Sequence, residues 1–359
     1  METAAAAAIL KALSNPVLLI DSEKTIVTAN DAAKNLLGAE IEGRTLALAL
    51  RQPEVLDAVN DVLGGEYQRS ARISLLTSIH RSFNIQVTTI EAAAQSDAGA
   101  VLIMHDMTAA QNAEQMRADF VANVSHELRS PLSALVSFIE TLRGPARDDP
   151  SARDRFLDIM DSESKRMARL IDDLLSLSRV EANEHIVPDG QVELRALLAD
   201  VTNTLSARAN SRSITISFVR DGASVFTNGD WDELTEVFHN LIDNAVKYCP
   251  EHTTVRVEID EIQRIPEIGL PGVVIAITDE GDGIPAEHLP RLTERFYRVD
   301  KGRSRTMGGT GLGLAIVKHI VNRHRGRLTV DSALGQGAVF KVFLPSVRDM
   351  AEPDDLSQY

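Results

Sequence analysis

Two stretches of the chain carry apolar residues at the alternating three- and four-residue spacing of a coiled-coil seam. They are separated by the turn sequence GPARDDP (144–150), which contains two prolines and a glycine. A helix with one such seam covers its apolar side only by packing against other helices. Two antiparallel helices leave both seams short of partners, so the spacing predicts a hairpin that dimerises into a four-helix bundle. The seam residues are Val121, Val124, Leu128, Leu132, Leu135, Ile139 and Leu142, then Phe156, Met160, Met167, Leu170, Leu174 and Leu177.

A histidine lies on the outer side of the first seam helix. His126 is turned roughly 200° away from its nearest seam residues, so we expect it to be exposed, with a neutral ring that can act as a nucleophile. The chain has nine histidines, and an ordinary surface histidine is the simplest interpretation of any one of them. The residues next to His126 favour a nucleophilic role over that of an ordinary surface histidine. Glu127 can accept a hydrogen bond from the ring, and Ser130 follows one turn later on the same face.

Composition and charge argue against several classes of protein, including nucleic-acid-binding, disulfide-stabilised and membrane-spanning proteins. Of 359 residues, 44% are hydrophobic and 25% are charged, which is typical of globular domains. The formal net charge of −15 argues against a nucleic-acid partner, because phosphate binding requires a basic face. The single cysteine, Cys249, excludes an intramolecular disulfide and fits a reducing compartment. No apolar run reaches the ~18–20 residues of a membrane span, so we expect a cytoplasmic protein whose given sequence does not cross a membrane.

A predicted helix near position 240 carries polar residues on one face. Asn240, Asn244 and Lys247 recur at helical spacing, with Glu236 one turn earlier. Asparagine is a mediocre helix former, so two on one face need a reason. One interpretation is a solvated face. The other is that amide oxygens hold Mg²⁺ against phosphates while the lysine supplies a point charge.

Two glycine-containing loops follow that helix. The first, at the end of the strand-like GVVIAITD, places Asp279 where it can accept a hydrogen bond from an adenine amino group, and Gly281 and Gly283 let backbone approach a flat ligand. The second, GGTGLGLAIVKHI, enters a helix and offers backbone N–H groups to anions. It is neither a Walker A loop nor a dinucleotide fingerprint. Between the loops, the basic segment RFYRVDKGRSR predicts a mobile lid over a triphosphate.

Five motifs in chain order match those of a known family. They are SHELRSPL, NLIDNAVKY, DEGDGIP, ERFYRVD and GGTGLGLAIVKH. Their order and spacing resemble the H, N, G1, F and G2 boxes of the sensor histidine kinases of two-component systems. Upstream, NPVLLIDSEKTIVTANDAAKNLLG and HDMT resemble the start and the end of a PAS domain. Within the family, the segment 289–324 is most similar to the phosphate-regulon sensor kinases.

The resemblance, with the strand and helix patterns, implies an α+β multidomain protein. We expect a PAS-like α/β domain over 1–108 and a dimerisation and phosphotransfer hairpin over 109–183. An ATP-binding α/β sandwich of the histidine-kinase/Hsp90/gyrase type should follow over 188–347, and an acidic tail over 348–359.

The resemblance also assigns roles to individual residues. It implies that His126 is the phosphoacceptor, that Glu127 is the base that assists it, and that Ser130 orients water when a partner is dephosphorylated. It implies Mg²⁺–ATP as cofactor, with the metal at Asn240 and Asn244. It further implies that Glu236 either supports these residues from behind or acts as a general base. The remaining nucleotide contacts are Lys247, Tyr248, Asp279, Gly281, Gly283, Arg298, Gly308, Gly309, Thr310, Gly311, Leu312 and Gly313.

We therefore expect a homodimeric, ATP-dependent protein-histidine kinase that phosphorylates itself on His126. It should pass the phosphate to an aspartate on a response-regulator receiver domain, act as a phosphatase toward that regulator, and serve a response to phosphate limitation. An ATPase of the same ATP-binding fold, without a phosphohistidine, is the alternative, and the motif SHELRSP argues against it. A non-catalytic scaffold is disfavoured, because each motif keeps its chemical residues.

Overall fold

The described part of the chain covers residues 10–76, 80–90, 98–219, 222–300, 302 and 309–346 of a computed structural model. Its contacts divide the chain into two units, Met1–Ala122 and Asn123–Tyr359. Gly308 and the acidic tail lie outside the described residues, as do the basic residues Lys301, Arg303 and Arg305 of the expected lid. Within the described ranges, no helix combines the length and the apolar character of a membrane span.

The first unit contains strands β1 (Val17–Asp21), β2 (Ile26–Ala29), β3 (Gln68–Leu76), β4 (His80–Thr89) and β5 (Ala98–Asp106), with helices α1 (Asp31–Leu37), α2 (Leu46–Ala49) and α3 (Pro53–Leu63). The strands form one antiparallel sheet in the order β2-β1-β5-β4-β3. Side chains alternate between core and solvent along β3, and α3 packs over the core-facing side. Helices and a sheet thus share one apolar core, as expected for an α/β domain.

Two long helices form the predicted hairpin. Helix α4 (Thr108–Arg143) continues through Pro131, and α5 (Pro150–Ala182) begins after Asp149, whose carboxylate accepts hydrogen bonds from the N–H groups of Ser151 and Ala152. Leu170 and Leu177 of the second seam are buried. On α4, however, an exposed apolar stripe remains, formed by Leu132 (53% exposed), Val136 (49%) and Ile139 (42%). One copy of the hairpin therefore leaves apolar surface that a second copy can cover.

We predict that Leu132→Glu weakens dimerisation, because it places a charge in the exposed apolar stripe where a second hairpin would pack. Sedimentation velocity of the full chain at micromolar concentration should show a shift from dimer toward monomer. The matched control is Leu48→Glu, since Leu48 is also exposed (63%) but belongs to the first unit. An unchanged dimer in the Leu132 variant, or equal losses in both variants, would contradict the four-helix interpretation.

The remainder of the second unit is an α/β sandwich. Its elements are strands β6 (Gln191–Glu193), β7 (Thr215–Phe218), β8 (Phe226–Asn228), β9 (Thr254–Ile262), β10 (Gly272–Asp279), β11 (Arg327–Ser332) and β12 (Ala338–Pro345), and helices α6 (Leu194–Asn210), α7 (Trp231–Tyr248) and α8 (Gly313–Arg323). The main sheet has the order β11-β12-β10-β9-β7, with β7 parallel to β9 and the other pairs antiparallel. The short strands β6 and β8 pair separately.

Helix α7 packs one face against the sheet and carries the predicted functional residues on another face. Its predicted apolar stripe of Leu234, Phe238, Leu241 and Ala245 is buried. The helix packs against α6, α8, β9 and β10, so the stripe forms the centre of the sandwich core. The polar face predicted to hold a nucleotide is consequently turned away from that core and toward the loops that follow β10 and precede α8.

Candidate active site

A cavity of about 480 Å³ opens between α7, the loop after β10, the start of α8 and helix α5. Most of the residues predicted from the nucleotide motifs line it, although they come from separate parts of the chain. They are Asn240, Asn244, Lys247, Tyr248, Asp279, Gly281, Gly283, Arg298, Gly309, Thr310, Gly311 and Gly313, and Glu236 lines it too.

The other predicted site residues lie elsewhere. Leu312 is fully buried and is not among the residues that line the cavity, since its apolar side chain packs into the sandwich core. Gly308 falls outside the described residues. His126 and Ser130 are exposed on α4, as their position away from the seam predicts, and Glu127 is partly buried between them.

The polar face of α7 is held in place by ion pairs. Asp243 is buried, and its two carboxylate oxygens lie 2.7 Å from Lys247 Nζ and 2.6 Å from an Arg208 guanidinium nitrogen. Asp243 and both cations line the cavity. Arg212 also donates to the carbonyls of Lys247 (2.8 Å) and Cys249 (3.1 Å), which satisfies the C-terminal end of the helix. The lysine and the neighbouring Tyr248 are thereby fixed at the cavity wall.

The end of strand β10 presents a carboxylate to the cavity. Asp279 Oδ1 accepts hydrogen bonds from the backbone N–H groups of Gly281 (2.9 Å) and Ala338 (3.1 Å). Burial raises the pKa of Asp279, and these two hydrogen bonds oppose the rise. Asp279 lines the cavity, and because its Oδ1 is fixed by the backbone, Oδ2 is the oxygen that can accept a hydrogen bond from a ligand.

The glycine-rich loop approaches α7 closely. A Cβ atom at Gly313 would lie 2.8 Å from Asn240 Oδ1, so only glycine lets the start of α8 come this near to the asparagine. Gly311 has φ +77°, a conformation that favours glycine, and its carbonyl accepts a hydrogen bond from Phe296 N–H at 2.8 Å. Arg298 Nη2 donates to the Thr310 carbonyl at 2.7 Å. The arginine and the loop therefore form one wall of the cavity.

Helix α5 closes the cavity from the side of the hairpin. Its Asp173 accepts a hydrogen bond from the Thr310 hydroxyl at 2.6 Å, and its Ser176 hydroxyl lies 2.8 Å from both carboxylate oxygens of Glu236. Burial raises the pKa of Asp173 and of Glu236, and the charge of Asp173 raises that of Glu236 further. The hairpin thus contacts both the glycine-rich loop before α8 and the polar face of α7 within the same unit.

A second contact reaches the histidine helix itself. Glu127 Oε2 lies 3.0 Å from Arg166 Nη2 of α5 and 3.3 Å from Arg298 Nη2 of the cavity wall. The sequence predicts that this carboxylate can accept a hydrogen bond from the His126 ring, and the structure places it within ion-pair distance of two arginines. The residue next to the predicted phosphoacceptor is therefore joined directly to a residue of the nucleotide cavity.

Sequence reasoning missed four residues of this arrangement: Asp173, Arg208, Asp243 and Arg166. Asp243 had a usable signal, because it directly precedes Asn244 and lies one turn before Lys247 on α7. The other three belong to helices whose local pattern indicates only a solvated or seam-flanking position. Their partners are distant in sequence.

Comparison with known proteins identifies the class. Residues 229–348 match the histidine kinase-, DNA gyrase B-, and HSP90-like ATPase family, residues 116–183 match the His Kinase A (phospho-acceptor) domain, and residues 10–112 match the PAS fold. A sandwich with this cavity and a hairpin bearing an exposed histidine together define an ATP-using protein kinase whose acceptor is a histidine.

The relatives define the family. The chain is 36% identical over 335 residues to the phosphate regulon sensor protein PhoR of Pseudomonas aeruginosa, covering 92% of this chain and 71% of that protein. It is 34% identical over 339 residues to the sensor protein kinase WalK of Staphylococcus epidermidis, covering 93% of this chain and 53% of that one. The chain belongs to the sensor histidine kinase family. The solved structure of histidine kinase ThkA in complex with response regulator TrrA shares the fold, with a TM-score of 0.52 and 20% identity over 95% of this chain and 98% of ThkA.

We predict that Asn244→Ala lowers Mg²⁺–ATP affinity by about tenfold or more, because it removes one of the two amide oxygens that the cavity offers to a metal–phosphate group. Isothermal titration of the full chain with Mg²⁺–ATP measures this. The control is Asn203→Ala, an asparagine on α6 that is absent from the lining of the 480 Å³ cavity. Unchanged affinity in the Asn244 variant, with an unchanged melting temperature, would refute the assignment.

Proposed function

We propose that this kinase transfers the γ-phosphoryl group of Mg²⁺–ATP to a ring nitrogen of His126 and then to an aspartate of a response regulator. The observation that carries the proposal is the contact of Glu127 with Arg298. It joins the histidine helix to the wall of the cavity inside one unit, which supports a transfer between two sites held close together. Holding them together replaces a bimolecular encounter, which is a main source of acceleration in phosphoryl transfer.

The nucleotide would be oriented from both ends of the cavity. Asp279 accepts a hydrogen bond from the adenine amino group, while Gly281 and Gly283 let the ring lie against backbone. Tyr248 contacts the nucleotide from the end of α7, and the loop from Gly308 to Gly313 holds the phosphates. Lys247, kept at the wall by Asp243, supplies positive charge to the phosphates.

The residues present fit a magnesium ion bound together with ATP. Asn240 and Asn244 offer two amide oxygens one turn apart on the cavity face of α7. Among the described residues no cluster of three or more His, Cys, Asp or Glu side chains forms a complete protein cage for a metal. That suits Mg²⁺, which commonly takes only one or two protein ligands and completes its shell with phosphates and water. When bound, the ion would neutralise charge on the phosphates.

The chemical step balances as follows. The neutral ring nitrogen of His126 forms a bond to the γ-phosphorus as the bond from that phosphorus to the β–γ bridging oxygen breaks, and ADP leaves. The ring N–H proton passes to the carboxylate of Glu127. Arg298, at the cavity wall, supplies positive charge to the transferring group.

We further propose a homodimer and a response-regulator partner. The phospho-acceptor domain is also a dimerisation domain, and the exposed apolar stripe of α4 supplies a surface for the second copy. The solved ThkA structure contains a response regulator, and we infer the same class of partner here from family membership. Ser130, exposed one turn after His126, would orient the water that dephosphorylates the regulator. A response to phosphate limitation remains a prediction, because PhoR and WalK match this chain almost equally.

Incubation of the full chain with Mg²⁺ and γ-labelled ATP should place one phosphate on His126 through a P–N bond. The label should be lost in acid, which protonates the ring and makes it a leaving group, and should survive alkali. His126→Ala should abolish the label but retain ATP binding, because His126 lies outside the cavity. His80→Gln, an exposed histidine of the first unit, is the matched control and should label normally.

The same experiment separates the kinase from a plain ATPase. A purified receiver domain should accept the labelled phosphoryl group, so that the label on the wild-type protein is lost. ATP hydrolysis without any acid-labile label, or a label that persists in the His126 variant, would contradict the proposed function.

A further inference from the structure

One buried cation on the hairpin is not accounted for by nucleotide binding. Arg166 of α5 has a side chain only 10% exposed, and it is not among the described residues that line the cavity. Its Nη2 lies 3.0 Å from Glu127 Oε2 and its Nη1 lies 3.3 Å from Glu163 Oε2. Burying a guanidinium is costly unless it is paired, so a position that keeps it needs a reason.

The oxygen that Arg166 holds is shared with the nucleotide site. Glu127 Oε2 lies 3.0 Å from Arg166 and 3.3 Å from Arg298. The two arginines come from different elements: Arg166 belongs to the same hairpin as His126, and Arg298 belongs to the cavity wall. Glu127 therefore links the hairpin that carries His126 to the wall of the cavity.

We propose that Arg166 is a positioning residue that holds the carboxylate of Glu127 beside His126 while Arg298 is engaged by the phosphates of ATP. The inference deepens the proposed function and rests on it. ATP brings negative charge that competes with Glu127 for Arg298. Arg166 keeps the carboxylate in place during that exchange, because its planar fork bridges Glu127 and Glu163 and pins the former to the hairpin.

The charges of this cluster support an exchangeable contact. Arg166 pairs with both Glu127 and Glu163, so removing it takes away the cation that keeps Glu127 on the hairpin when Arg298 turns to the nucleotide. Loss of Arg166 should therefore slow the chemical step, while ATP affinity, set by other side chains, should change little.

The test measures phosphorylation of His126 in the full chain. Arg166→Met should lower the rate at saturating Mg²⁺–ATP by about 10- to 100-fold, the range expected when a catalytic base is misplaced. The KM for ATP should stay within about twofold, since ground-state binding is unaffected. Arg153→Met, an exposed arginine of the same helix, is the matched control and should keep the wild-type rate.

A double-mutant cycle shows whether Arg166 acts through Glu127. Glu127→Gln should slow the reaction, and Arg166→Met combined with Glu127→Gln should be no slower than the slower single variant, because both changes remove one interaction. A rate loss in the double variant equal to the product of the single losses would assign Arg166 a separate, structural role and overturn the inference. So would an unchanged rate in Arg166→Met, or a parallel loss of ATP affinity.

If Arg166→Met is too unstable to purify, Arg166→Lys carries the test. It keeps the charge but cannot bridge two carboxylates with a fork, so the rate should fall with KM unchanged, and a wild-type rate would overturn the inference. Failure of the proposed function looks different. In that case the wild-type protein itself would place no acid-labile label on His126, whatever residue stands at 166.

Discussion

The arrangement of the histidine hairpin relative to the nucleotide cavity depends on the contact between helix α5 and the ATP-binding sandwich. Asp173 accepts a hydrogen bond from Thr310, and Ser176 donates one to Glu236. Glu181 forms an ion pair with Arg295 at 2.6 Å. Partly buried hydrogen bonds of this kind contribute about 1 kcal/mol each in net terms, since both partners lose water. Together these contacts hold the hairpin against the sandwich in the arrangement that the structure shows.

Carboxylates at this contact lie close to the cavity in which we propose that ATP binds, and ATP would bring further negative charge there. Burial raises the pKa of Asp173 and Glu236, and the first carboxylate raises the pKa of the second. The cations Lys247 and Arg298 stand at the same cavity, each already paired with a carboxylate. Under the proposed function, nucleotide binding exchanges partners among these ion pairs, and the pair of Arg166 with Glu127 persists through the exchange.

Local sequence patterns predicted the elements and most of the cavity, because both are periodic or glycine-marked. The spacing of Leu170 and Leu177 indicated a buried helix side, and the spacing of Asn240 and Asn244 indicated a polar one. The patterns could not predict long-range partners: Arg166 and Glu127 are 39 residues apart. Strands β6 and β8 have three residues each, too few for an alternation to be visible. Leu312 was placed in the site by its motif; the structure buries its apolar side chain in the core, and its contact with the nucleotide stays a prediction.

The most direct test of the docked arrangement is a charge swap between Glu181 and Arg295. Neither residue lines the cavity among the described residues, and their side chains form an ion pair across the contact. The rate of His126 phosphorylation should fall several-fold, about 3- to 10-fold for a lost pair of 1 kcal/mol replaced by repulsion, in Glu181→Arg and in Arg295→Glu. The combined Glu181→Arg/Arg295→Glu variant should recover most of the wild-type rate. A double variant slower than either single one, or single variants with the wild-type rate, would contradict the claim that this contact brings ATP to the histidine.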